Sequence, residues 1–178
     1  LVVRPGDAKI KQRIGYIPEN VMLYPELSGL QNLAYLSQLS GKKYNKTELS
    51  HFLQQASLQA EAIHQPVAQY SKGMRQKVGI ALALAKKASA LFLDEPTSGL
   101  DPLASNEFSN LLQQLSQGGV SILMVTHDLF RAKEVANRIG IMKAGQLVEV
   151  LDAATVSHSE LERIYVETIS APLLAVGA

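Results

Sequence analysis

The chain has 178 residues, 47% hydrophobic and 19% charged, which is enough apolar mass to bury a core and too much for a disordered chain. A formal charge of +1 gives no basic field to attract nucleic acid, and the absence of cysteine excludes disulfides and thiolate metal sites while fitting a reducing compartment. No apolar stretch reaches the eighteen or so residues of a membrane helix; the run Ala171 to Val176 is short and contains Pro172, so any membrane role has to come through a partner.

The first predicted element is a strand from Arg13 to Ile17, stopped by Pro18. A helix follows from Ser28 to Ser40, with Ser28 as N-cap, Leu30, Leu33, Ala34 and Leu36 on its apolar stripe and Gly41 just past its end. Thr47 to Ala56 reads as a second helix, with Leu49, Phe52 and Leu53 at helical spacing. Ser71 caps a third, which runs through Ala81 to Lys87 and is apolar enough at Val78, Ile80, Ala81, Leu82, Ala83 and Leu84 to be buried. Ala90 to Asp94 is a strand, Pro102 opens a helix that stops at Gly118-Gly119, and Val120 to Thr126 is another strand. Asp128 caps a short helix to Asn137. Ile139 to Met142 and Gln146 to Val150 read as strands around the turn Lys143-Ala144-Gly145, and Ser157 with Glu160 forms a capping box for a last helix containing Leu161, Ile164 and Tyr165. Alternation of this kind predicts an α/β fold with a mainly parallel sheet and its reactive loops at the strand C-termini, where Asp94, Glu95 and His127 all fall.

The stretch from Leu91 to Asp101 carries the strongest chemical signal. An apolar run delivers Asp94 and Glu95 side by side, then a glycine-containing turn ends in Asp101. Each ionised carboxylate that leaves water costs several kcal/mol unless a cation, hydrogen bonds or a raised pKa offsets it. A magnesium-bound nucleotide meets that need, with Asp94 in the coordination shell and Glu95 facing the water that attacks a terminal phosphate. Alone, the same run also reads as a buried strand ending in solvated acids. Upstream stands Tyr70-Ser71-Lys72-Gly73-Met74-Arg75-Gln76-Lys77, and downstream Val125-Thr126-His127-Asp128 closes a second apolar run.

These blocks, in this order, resemble the nucleotide-binding domain of ABC ATPases. The resemblance implies a P-loop NTPase-like fold, with helices on both faces of the sheet and an inserted α-helical subdomain. It implies that Asp94 ends the Walker B strand, that Glu95 is the catalytic glutamate and that Ser98-Gly99-Leu100-Asp101 is the D-loop. Ser71, Lys72 and Gly73 fall in the signature motif, which meets the γ-phosphate of ATP bound to an opposite subunit, and His127 falls at the switch histidine. Ile14 to Asn20 matches the Q-loop segment, where a glutamine is usual and Glu19 stands here. Approximate divisions are a helical and signature region over 20–87, a core with Walker B, D-loop and switch over 88–150, and a C-terminal helix and tail over 151–178.

Four departures from the family pattern bear on the chemistry. Lys72 replaces the first of two usual glycines, where it could add a phosphate contact, and Met74 replaces a glutamine. Glu19 can offer an oxygen to Mg2+ but adds negative charge near Asp94 and Glu95; a solvated loop acid after Pro18 is the equal alternative. A phosphate-cradling G-x-x-x-x-G-K-[ST] does not occur: Gly41-Lys42 is followed by Lys43, and Leu36 stands where the first glycine belongs. In the family that loop and an adenine-stacking aromatic precede the Q-loop, so the resemblance implies a domain that has lost its N-terminal part, and these residues alone are expected not to hydrolyse ATP.

The segments Ile14 to Glu19 and Tyr70 to Gln76 look like those of exporter-type (ABC-2 class) transporters, and Pro18 to Gly29 is similar to the subunit serving copper-enzyme maturation. The implied function is an ATP-binding and ATP-hydrolysing subunit on the cytoplasmic face of the membrane. It would be paired with a second nucleotide-binding domain, identical or not, and with a permease docked near Glu19 to Leu27, where Leu23 and Tyr24 are candidate exposed anchors. Alternatives are a soluble ABC ATPase outside transport, which usually carries tandem domains or a charged linker absent here, and a non-catalytic regulatory remnant. Histidines 51, 64 and 158 sit in polar surroundings and receive no role.

Overall fold

The computed structural model describes residues 8–171, so the apolar run Ala171 to Val176 lies, beyond Ala171, outside the described residues. The chain divides into two compact units, Leu1–Val125 and Thr126–Ala178.

In the first unit, α1 (Ala8–Arg13) leads into β1 (Ile14–Ile17), so Arg13 closes a helix rather than opening the strand. Helix α2 (Gly29–Leu39) is capped by Ser28, whose Oγ accepts the Gln31 N–H at 3.2 Å while Gln31 Oε1 accepts the Ser28 N–H at 2.8 Å. Helix α3 (Lys46–Gln55) carries the same reciprocal box between Asn45 and Glu48. Each box satisfies two of the four orphan donors of a helix N-terminus. A short 3-10 turn over Val67–Gln69, not expected from the sequence, precedes α4 (Lys72–Ala85). The expected continuation of α4 to Lys87 fails because Lys87 turns into the left-handed region at φ 55°.

Strand β2 (Ala90–Asp94) pairs in parallel with β1, Ile14 opposite Ala90, and with β3 (Ser121–Val125), Asp94 opposite Val125. Helix α5 (Pro102–Gln117) connects β2 to β3, as a parallel crossover requires. On one face Ile17, Leu91 and Leu93 join a core with Leu33, Leu53, Ile80 and Phe108; each such side chain contributes about 1.5–3 kcal/mol of burial. On the other face Tyr16, Phe92 and Leu123 lie in one register line across the three strands and are exposed, Tyr16 at 62% and Leu123 at 58%.

Two close approaches fix the core. A Cβ on Gly15 would lie 2.6 Å from Leu91 Cδ2 and 2.7 Å from Ala83 Cβ, so only glycine lets α4 sit so near β1. A Cβ on Gly29 would meet the Tyr70 hydroxyl at 2.4 Å; that buried hydroxyl donates to Ala62 O at 2.5 Å.

In the second unit, α6 (Leu129–Val135) ends two residues short of the expected Asn137. Strands β4 (Arg138–Lys143) and β5 (Gln146–Asp152) form an antiparallel hairpin. Its loop is Ala144-Gly145, both at positive φ, the geometry that a two-residue hairpin demands. Helix α7 (His158–Ser170) is capped by Ser157 Oγ, which accepts the Glu160 N–H at 3.2 Å. The full reciprocal box expected there is found instead on α2 and α3. The small core is Ile139, Ala153, Val156 and Leu161. His158 does not sit among polar groups alone: its ring stacks on Phe130 at 4.8 Å.

Candidate functional site

At the C-terminal end of β2 the chain makes an abrupt turn. Glu95 donates its N–H to Val125 O at 2.9 Å, which extends the β2–β3 ladder by one bond, and then adopts φ 44°. For a residue with a Cβ the left-handed region costs roughly 1–2 kcal/mol, and such strain concentrates at functional sites. Ser98 N–H closes the turn on Glu95 O at 3.1 Å, and Gly99 at φ 69° turns the chain again. Asp101 then caps α5, accepting the Ala104 N–H at 2.9 Å, with Pro102 at the first helical position. The half-buried Asp94 receives a long hydrogen bond of 3.4 Å from the Tyr16 hydroxyl, whose ring belongs to the exposed face of the sheet.

The first turn of α4 is the second cluster. Ser71 Oγ accepts the Met74 N–H at 3.3 Å, so the hydroxyl caps the helix through a lone pair and keeps its own proton for donation outward. Gly73 is buried; a Cβ there would touch Leu100 Cδ2 at 3.4 Å, which places the turn after β2 directly on this helix start. Lys72 Nζ lies 3.1 Å from Glu19 Oε1, and Ser98 Oγ donates to the same oxygen at 3.2 Å. Glu19, Lys72 and Ser98 are therefore brought together.

Within the second unit, the exposed His127 stands between the ends of β3 and α6. The next residue, Asp128, takes its N–H to Thr126 Oγ1 at 3.1 Å and caps α6 by accepting the Arg131 N–H at 3.0 Å. That pair of bonds fixes the backbone on either side of the imidazole.

Among the described residues no three or more of His, Cys, Asp and Glu gather into a metal cage. Mg2+ does not require one, because it binds through one or two carboxylates, substrate phosphates and water, and Asp94 supplies a suitable oxygen. The residues present fit a phosphate-borne magnesium.

The loop after β1 presents Met22, 85% exposed, and Tyr24, whose ring meets Tyr35 edge-on at 5.2 Å. Leu23, expected as an anchor beside Tyr24, is partly buried against the core instead. Asn32, which the sequence reading passed over, holds this loop: its Nδ2 donates to the carbonyls of Tyr24, Leu27 and Ser28 at 3.0, 3.2 and 3.0 Å, and its Oδ1 accepts the Tyr24 N–H at 2.8 Å. An asparagine inside an apolar stripe was the available signal. No helix among the described residues is long and apolar enough to cross a membrane.

The sequence model of the ABC transporter family matches residues 3–98. The chain is 37% identical over 146 residues to the glutamate/aspartate import ATP-binding protein GltL of Escherichia coli K12, covering 80% of this chain and 60% of that protein. It is 29% identical over 151 residues to the linearmycin resistance ATP-binding protein LnrL of Bacillus subtilis, covering 84% and 48%. Its backbone is similar to the dimeric post-hydrolysis structure of the ATP-binding cassette MJ0796 bound to ADP and Pi, with TM-score 0.71, 26% identity, and coverage of 82% of this chain and 65% of that one. The chain spans about half the length of the curated relatives it matches.

Proposed function

The chain belongs to the ABC transporter family, and we propose that it forms part of an exporter-type subunit that binds and hydrolyses ATP in order to drive a separate membrane permease. The observation that carries this reading is the strained turn after β2, where Asp94 and Glu95 follow one another and Glu95 is held left-handed at φ 44°. An isolated structural acid has no need of such a conformation, whereas a general base must be aimed.

In this reading Asp94, together with the phosphates of ATP, would hold Mg2+, which would supply neutralisation of phosphate charge. The Glu95 carboxylate accepts the proton of the attacking water, and the His127 imidazole is a hydrogen-bond donor for a terminal phosphate. Ser71 Oγ–H and the Gly73 N–H donate to the γ-phosphate of a nucleotide on a second such domain, each charge-assisted bond contributing roughly 1.5–3 kcal/mol, with the dipole of α4 adding to it. Ser98 and Asp101 shape the turn that faces that partner. The cradle for the phosphates of the subunit's own nucleotide is not among these 178 residues, so the reading requires it from elsewhere in the protein. Two domains would close around two ATP molecules on the cytoplasmic face, with the permease resting on Met22, Tyr24 and Tyr35. Relatives named for resistance and for import are in keeping with a cargo chosen by the permease.

The test is Ser71→Arg in the whole subunit with its permease. Because Ser71 serves the opposite nucleotide, this change should abolish steady-state hydrolysis while ATP binding by the subunit's own half stays within about threefold. Loss of ATP binding in parallel with hydrolysis would place Ser71 in its own site and overturn the two-domain arrangement. ATP binding with no turnover in the unaltered protein would favour a regulatory role.

A further inference from the structure

Glu19 and Lys72 are the two charged departures from the family pattern, and they lie 53 residues apart in sequence. In the fold they meet at 3.1 Å. The same carboxylate oxygen takes the Ser98 hydroxyl at 3.2 Å, and Gln76 Nε2 makes a long contact of 3.5 Å to the Glu19 carbonyl. Lys72 also passes close to Gly99, within 3.9 Å of where a Cβ would stand. At the other end of α4, Lys86 Nζ donates to Ile14 O at 2.9 Å. Helix α4 is thus tied to the chain around β1 at both ends, and its first turn is tied through Glu19 to the turn that follows Glu95.

We infer that Glu19 is a positioning residue: its carboxylate clasps Lys72 and Ser98, and so sets the α4 N-terminus and the turn after Glu95 as one piece. Lys72 then completes Glu19 and leaves phosphate contact to Ser71 and Gly73, and Glu19 is turned to these two groups and away from a metal-ligand role. A carboxylate suits this better than an amide, because one ionised oxygen can accept two bonds while it neutralises the lysine. Exchanging the two charges should keep the clasp, since the Ser98 hydroxyl can donate to a carboxylate or accept from an ammonium.

The experiment is a charge-swap cycle of Glu19→Lys, Lys72→Glu and the double variant in the whole subunit, with two readouts. Amide hydrogen exchange over 72–77 and 98–101 does not depend on turnover. Exchange in both segments should rise at least threefold in each single variant and return toward the parent in the double, the scale expected of a partly exposed ion pair. The kinetic readout rests on the reading of the protein as an ATPase. Each single variant should lower kcat about 3- to 10-fold with KM for Mg-ATP changed less, and the double should regain most of it. Unchanged exchange in the single variants, or no recovery in the double, overturns the clasp. A raised Mg2+ requirement in both variants that lack Glu19, unrelieved by the swap, would instead make Glu19 a metal ligand. If the parent protein hydrolyses no ATP, the proposed function fails while the exchange result still decides the clasp.

Discussion

Glu95 gives a way to separate stored strain from chemistry, because two replacements remove different parts of it. Glu95→Gln keeps the Cβ and the left-handed backbone at φ 44° but removes the base. Glu95→Gly removes the Cβ as well. A Cβ in the left-handed region costs roughly 1–2 kcal/mol, and the greater freedom of glycine in the unfolded chain takes back about 0.5–1 kcal/mol. The Gly variant should therefore be more stable than the Gln variant by about 0.5–1 kcal/mol, and both should lose hydrolysis by roughly 10²–10⁴-fold with ATP binding retained. Urea midpoints at constant m-value measure the first quantity, and steady-state phosphate release by the whole subunit measures the second. A Gly variant less stable than the Gln variant would show that the turn is not strained at this residue. Turnover that survives the Gln change would remove Glu95 from catalysis.

The ion pair between α4 and α5 should be lopsided, because only its lysine is buried. Lys77 is nearly buried at 2.8 Å from the half-exposed Glu107, so Glu107→Ala, which removes the acceptor of a buried ammonium, should cost about 2–3 kcal/mol, while Lys77→Met should cost less than about 1 kcal/mol, both read by urea denaturation. Equal costs would mean that Lys77 is hydrated in solution. Burial pushes the Tyr70 phenol above its ordinary value of 10.0, partly opposed by the hydrogen bond to the Gly29 backbone. The folded state then keeps a proton that the unfolded state gives up, so this contribution to stability is whole below about pH 10 and is lost as pH rises through the raised folded value. Tyr70→Phe should cost about 1 kcal/mol at neutral pH by removing one of the two hydrogen bonds that Ala62 O accepts, the other coming from the Gln65 N–H at 2.9 Å, and should flatten the decline of stability above pH 10; an unchanged slope would show that Tyr70 ionises freely in the folded protein.

Local signals carried much of the architecture. Strand β2 has the bounds that its apolar run gives it, and the caps at Ser28, Ser71, Asp128 and Ser157 all hold, because a cap is chemistry between residues three apart. The adjacency of Asp94 and Glu95, and the turn that follows them, were legible for the same reason. What the sequence concealed depends on distant partners or on dihedral angles. The tie between Glu19 and Lys72 joins chain segments that periodicity cannot relate, and the left-handed backbone of Glu95 has no glycine or asparagine to announce it. Leu23 and Tyr24 read alike as apolar loop residues, and only the bonds of Asn32 decide which one faces out. Lys87 ends α4 through its own φ against an otherwise favourable helical pattern.

The strand pairing has a consequence for how the protein is made. Strand β1 is synthesised before its partner β2, which begins only at Ala90, after α2, α3 and α4; by contrast β2 finds β3 across only α5. Closing the longer loop costs about 0.8 kcal/mol more than closing the shorter one, and at the usual ribosomal pace β1 waits about 4–15 s for its neighbour to appear. Throughout that wait Ile14 and Ile17 lack the strand β2 that they pair with, so the nascent chain should be a chaperone client until Asp94 has left the ribosome exit tunnel, and the β1–β2 pairing should be slower to form than the β2–β3 pairing.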